Sequence, residues 1–137
     1  MNTARSLIGA ALSSAVAIFA CGFVLGIARI FLLIPKMGPL YAVALELPVM
    51  LVLSWLVWRW SLARFRIAPD VPSRLITGLL AFILLMGFEL LLAIMIFEMD
   101  AGDFLASLAN PAGLLGFAGQ CAFGLMPVLM PESKARP

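Results

Sequence analysis

Residues 7–34 read LIGAALSSAVAIFACGFVLGIARIFLLI, an apolar run with a single charge, Arg29, followed at 35–39 by Pro-Lys-Met-Gly-Pro. About 20 apolar residues suffice for a helix to cross the hydrocarbon of a bilayer, so this run predicts a membrane span over 7–34. The proline- and glycine-rich segment that ends it predicts a turn. Outward from that turn the pattern repeats. Residues 40–58 carry only Glu46 and the Tyr41 phenol as ionisable groups and predict a second span. Residues 75–97, interrupted by Glu89, predict a third. Asn110-Pro111 offers an N-cap residue followed by proline at the first helical position, which predicts a fourth helix over 112–130.

Composition agrees with that reading. Of 137 residues, 64% are apolar and 12% charged, with a mean hydropathy of +1.14. Soluble domains hold about 45–50% apolar and about 25% charged residues, so this chain has too little polar surface to cover itself in water. The runs are about twice the length of a barrel strand and lack period-two alternation, which excludes strands. The expectation is an all-α membrane protein: one four-helix transmembrane bundle, with a basic connection over 59–74.

Lysine and arginine set the orientation. With four spans, Arg5, Arg59, Arg64, Arg66, Arg74, Lys134 and Arg136 share one side, against Lys36 on the other. The positive-inside rule then places both termini and the 59–74 connection in the cytoplasm. Trp55, Trp58 and Trp60 cluster where the second span meets the headgroups and read as an aromatic belt. The mixture of cations and aromatics at 59–66 is better suited to anionic lipid than to nucleic acid, which is not expected as a partner.

Several chemistries are excluded or receive no motif. The absence of histidine removes Ser-His-Asp and Cys-His catalysis, histidine-ligated haem and the usual zinc sites. Cys21 and Cys121 lie in apolar runs without ligand spacing and read as small packing residues. A lipoprotein-type cleavage before Cys21 would leave too short a run to span. Glu98, Asp100 and Asp103 fit no EF-hand loop. Asp103 is expected to cap a short interfacial helix. No cofactor or metal is expected, and no nucleophile–base pair suggests an enzyme.

What remains is a set of polar groups inside the spans. Each such charge costs about 2.5–3.5 kcal/mol on insertion scales and is a functional hypothesis by default. At 1.5 Å per residue, Arg29 lies about 7–8 Å below the outer end of its span, Glu46 about 9 Å, and Glu89 and Gln120 about 12 Å. All four spans thus contribute one polar group to one layer. Gly22 and Gly26 share a helical stripe with Arg29, and Gly116 and Gly124 flank Gln120. Small residues allow close backbone approach, so both stripes are expected to pack against neighbours. Pro48, two residues after Glu46, is expected to kink the second span, with an unwound segment beside the carboxylate as one outcome.

Two functions fit this layer. One is an accessory or scaffolding subunit that packs against itself or a larger membrane complex, with Arg29 and Glu46 as a buried pair and Glu89 protonated. The other is a small carrier or proton/cation relay, because one arginine against two carboxylates leaves room for one more positive charge. The block Gly26-x-x-Arg29, Pro35-x-x-Gly38 and Glu46-Leu-Pro48, with Met50 and Ser54-Trp55, resembles a pattern in small four-span bacterial inner-membrane proteins. It covers residues 22–58 and implies a bacterial inner-membrane location and no particular activity. Small multidrug transporters share the length and span number, but the first span here carries an arginine where those proteins need a glutamate.

Overall fold

The computed structural model describes residues 3–131, with no side-chain description at Thr3. The tail residues Lys134 and Arg136, which entered the orientation argument, lie outside the described residues. The described chain is all-helical: α1 (Thr3–Ala28), a five-residue π-helical segment (Arg29–Leu33), α2 (Ile34–Arg64), α3 (Val71–Met95), α4 (Ala101–Ser107) and α5 (Pro111–Leu129).

The first turn is sharper than the proline-glycine segment suggested. Helix winding continues past Ala28 because the Ile34 N–H reaches back to the Arg29 carbonyl, giving one wide π turn. It then carries on through Pro35 to Gly38, whose φ of 82° and ψ of 167° break the helix. That conformation is open essentially to glycine alone, because a Cβ would clash with its own backbone. The chain reverses there. Ser61 Oγ donates to the Ala10 carbonyl at 3.0 Å, and Arg29 meets Glu46, contacts that a continuous rod could not make. Pro48, by contrast, lies in helical backbone. No unwound segment accompanies it, and the break falls ten residues earlier.

The 59–74 connection is also shorter than expected. α2 runs on to Arg64 and α3 begins at Val71, so only Phe65–Asp70 link them. Asp70 starts α3 by accepting the Ser73 N–H at 2.9 Å, with proline in the first turn. That backbone N–H, in the first turn of α3, holds the Asp70 carboxyl below its ordinary value. At the other end of the molecule α4 is capped by Asp100, which accepts the Asp103 N–H at 2.7 Å; Asp103 is the third residue of that helix and not its cap. Asn110 caps α5 through the Gly113 N–H, also at 2.7 Å, as its sequence predicts.

The long helices pack in a ring in which each has two main neighbours: α1 with α2 and α3, and α5 with α2 and α3. Antiparallel contact within the α1/α2 and α3/α5 hairpins makes α1 run with α3, and α2 with α5. Three helical stretches, Ala4–Arg64, Val71–Met95 and Pro111–Leu129, are long and apolar enough to cross a membrane. The outer surface is apolar all round, with Val24, Phe31, Tyr41, Val52, Ile83 and Leu91 among its large exposed side chains. A soluble monomer seldom exposes so much contiguous apolar surface.

Burial is uneven along the ring axis. The core, built from Ala10, Ala11, Ile18, Trp58, Leu62, Ala81, Leu85, Phe123 and Met126, is centred in the half that carries the basic connection and ends at mid-helix with Ile18 and Leu85. In the opposite half only Gly26, Ala42 and Ala93 are buried among the described residues. One end of the ring is closed and the other is splayed.

Candidate functional site

The closed end is assembled by residues that pattern reading misassigned. Trp58 is not part of an exposed belt. It is fully buried, stacks 5.3 Å from the Phe123 ring and donates its indole N–H to the Phe123 carbonyl at 3.0 Å. Trp55 and Trp60 do face outward. Arg74 is not a loop cation either. It is 4% exposed and donates to the Pro127 and Met130 carbonyls at 3.2 and 2.6 Å, so it caps the C-terminus of α5 from α3. A helix end leaves carbonyls without intrahelical partners and carries partial negative charge, and a guanidinium satisfies both needs.

The close helix crossing occurs at the same end. A Cβ on Gly78 would collide with the Gly124 carbonyl, whereas one on Gly124 would lie 3.1 Å from Phe82 Cβ and 3.4 Å from the Gly78 oxygen. Gly124 therefore packs as its stripe predicted, against a glycine the sequence did not single out. Gly116 does not: nothing lies within 4 Å of a Cβ placed there. Gly22 and Gly26 are intermediate, approached at 3.6 Å by the Met50 methyl and by a guanidinium nitrogen of Arg29, not by a neighbouring backbone. Gly22, Gly26 and Gly116 clear space instead of filling it.

That space is a cavity of about 530 Å³ inside the ring. It begins above Ile18, Ser54, Leu85 and Phe123 and runs to Pro39, Phe97 and Asn110. The last three are exposed, so the cavity reaches the surface at the splayed end. Arg29, Glu46, Glu89 and Gln120 all line it, together with Gly22, Gly26 and Gly116. The four polar groups expected at one level, one from each long helical segment or the π turn beside it, are brought together around one void.

They form two pairs. Arg29 Nη1 donates to Glu46 Oε2 at 2.6 Å, with side chains 30% and 10% exposed respectively. The π turn places Arg29 at the lip of the hairpin, where its guanidinium reaches across to α2. Across the void, Gln120 Nε2 donates to both oxygens of Glu89 at 2.5 Å. The other amide atom, Gln120 Oε1, is buried and has no hydrogen-bond partner. Of the two carboxylates, Glu46 has a cation and Glu89 has only a neutral amide. No cluster of three or more cysteine, aspartate or glutamate side chains able to hold a metal occurs among the described residues. Cys21 and Cys121 are free thiols, both partly buried.

No family model, curated protein or solved structure matches this chain.

Proposed function

We propose that the chain crosses a bacterial inner membrane four times, with its basic end in the cytoplasm, and acts as a small carrier in which Glu89 exchanges a proton or a cation. Support for four crossings comes from the reversal at Gly38, which divides the first long apolar stretch into two antiparallel helices. Support for the orientation comes from Arg5, Arg59, Arg64, Arg66 and Arg74 at one end, with Lys36, Glu98, Asp100 and Asp103 at the other. The resemblance at residues 22–58 supports the bacterial location.

The observation that carries the functional reading is the cavity. Polar residues that merely hold helices together are expected in a filled interior, where each partner satisfies the other. Here the polar layer lines a void that reaches the surface, and the carboxylate opposite the Arg29–Glu46 pair lacks a cationic partner. Intramembrane carboxylates facing a cavity mark ion and proton pathways. An accessory or scaffolding role, the other expectation from sequence, requires no such void.

Flux in vesicles tests the reading. The purified chain, reconstituted into liposomes that enclose a pH-sensitive dye, should dissipate an imposed pH or cation gradient. Glu89→Gln should abolish that dissipation at unchanged reconstitution yield. No flux in the unaltered chain, or equal flux in the variant, overturns the proposal.

A further inference from the structure

The acceptors left over in the cavity specify a ligand more narrowly than a positive charge does. Arg29 is engaged by Glu46, and no lysine lines the void. Glu89 uses part of its acceptor capacity on Gln120, and a carboxylate offers about four lone-pair sites in all. Gln120 Oε1, on the same amide, is buried and unpartnered. Oε1 is sealed from the void, so Glu89 alone offers open acceptor sites to a ligand there.

Divalent metal ions are poorly matched. Calcium takes six to eight oxygens and magnesium a near-ideal octahedron, which one carboxylate and one amide oxygen do not provide. A quaternary ammonium brings charge but no N–H, so the remaining lone pairs of Glu89 would stay unmet. A primary ammonium brings charge and three N–H donors, enough to address both oxygens of Glu89. Around these groups the lining is apolar and aromatic, including Phe19, Met50, Leu85, Phe117 and Phe123. Ring faces attract cations, and a volume of about 530 Å³ lies within the range of small-molecule sites.

We infer that the cavity binds an organic primary ammonium with an apolar or aromatic body, its head on Glu89 and its body toward Leu85 and Phe123. The inference rests on the carrier reading and names the cation that the cavity takes.

Titration calorimetry on the intact chain in lipid nanodiscs tests it with three probes of similar shape: phenethylamine in its ammonium form, its N,N,N-trimethyl analogue and neutral 2-phenylethanol. The primary ammonium should bind at least tenfold tighter than either of the others. Glu89→Gln should weaken the primary ammonium at least tenfold and leave the alcohol unchanged. The three-probe comparison on the unaltered chain requires no variant to fold. Equal or tighter binding of the quaternary or neutral probe, or no saturable binding of the primary ammonium by helical, monodisperse protein, overturns the inference. If Glu89-dependent proton flux persists while the amine fails to bind, the ligand assignment falls and the carrier reading stands. If the amine binds as stated but no gradient is dissipated, transport falls and the binding site stands.

Discussion

Alanine placed at Gly78, Gly124 and Gly116 should separate the closed end of the ring from the open one. Inside a helix, glycine to alanine gains about 1 kcal/mol from backbone propensity wherever the methyl meets no obstacle. At Gly116 nothing lies within 4 Å, so the full gain of about 1 kcal/mol should appear as stabilisation. At Gly124 the methyl meets Phe82 Cβ at 3.1 Å and the Gly78 oxygen at 3.4 Å, contacts that small shifts relieve, so gain and strain should cancel to within about 1 kcal/mol. At Gly78 the obstacle is the Gly124 carbonyl, part of a helix backbone that cannot rotate away. α3 and α5 must separate, and overpacking of that kind costs about 1–3 kcal/mol. Separation also stretches the bonds from Arg74 to Met130 and Pro127, now 2.6 and 3.2 Å, of a class in which each contributes about 1.5–3 kcal/mol. With one of these bonds lost and the propensity gain subtracted, Gly78→Ala should lose about 1.5–5 kcal/mol. Unfolding of the three variants in mild detergent, followed by circular dichroism against added sodium dodecyl sulfate, gives the order directly. Gly78→Ala as stable as Gly116→Ala would refute the close crossing and with it the packed end.

Two further outcomes follow from the polar groups. Arg29→Ala should cost about 2–3 kcal/mol, below the roughly 3–5 kcal/mol of a fully buried pair because the arginine is 30% exposed, and Arg29→Met with Glu46→Leu should restore most of it. Additive losses in the same unfolding assay would show that the two residues are not coupled. Asp70 has its carboxyl held below the ordinary 3.8 by the Ser73 N–H, so its contribution is present above the unfolded value and is lost as pH falls through the folded one. The stability gap between the unaltered chain and Asp70→Ala should therefore shrink on acidification from about pH 6 to about pH 3, and a constant gap would exclude the cap as its source.

Sequence reading succeeded along the helix axes and failed around them. A rise of 1.5 Å per residue converts position into depth, which is why Arg29, Glu46, Glu89 and Gln120 could be placed at one level from their distances to the turns. The direction a side chain faces needs amphipathic contrast, and helices that are apolar on both their lipid and core faces supply none. Gly116 accordingly looked like Gly124, although one faces a void and the other a backbone. Arg74 and Trp58 were misread for a related reason. A cation and an indole near a span's end satisfy the headgroup rules wherever they point, and only the position of the α5 terminus and of the Phe123 carbonyl reveals their partners. Local capping needed no tertiary information, so Asn110 was legible.

The unequal packing of the two ends constrains how a carrier of this shape would work. From the splayed end, the cavity leads down to Glu89 and stops at Ser54 and Phe123. Below that floor the described buried polar residues are Ser14, Ser61, Arg74 and Thr77, with no carboxylate among them. A proton on Glu89 thus meets hydroxyls already committed to the Ala10 and Ser73 carbonyls, and an arginine committed to Pro127 and Met130. Ser14 Oγ and Arg74 Nε are unpartnered, and neither bridges to Glu89. A fixed wire through this half is absent among the described residues, so passage to the basic end requires the ring to open there. Parting α5 from α2 and α3 would break the Trp58 bond to Phe123, the Arg74 cap and the Gly78–Gly124 crossing together. If the unaltered chain exchanges ions, its Gly78→Ala form, with that seal loosened, should leak them. The same loosening would be silent in a protein whose polar layer served packing alone.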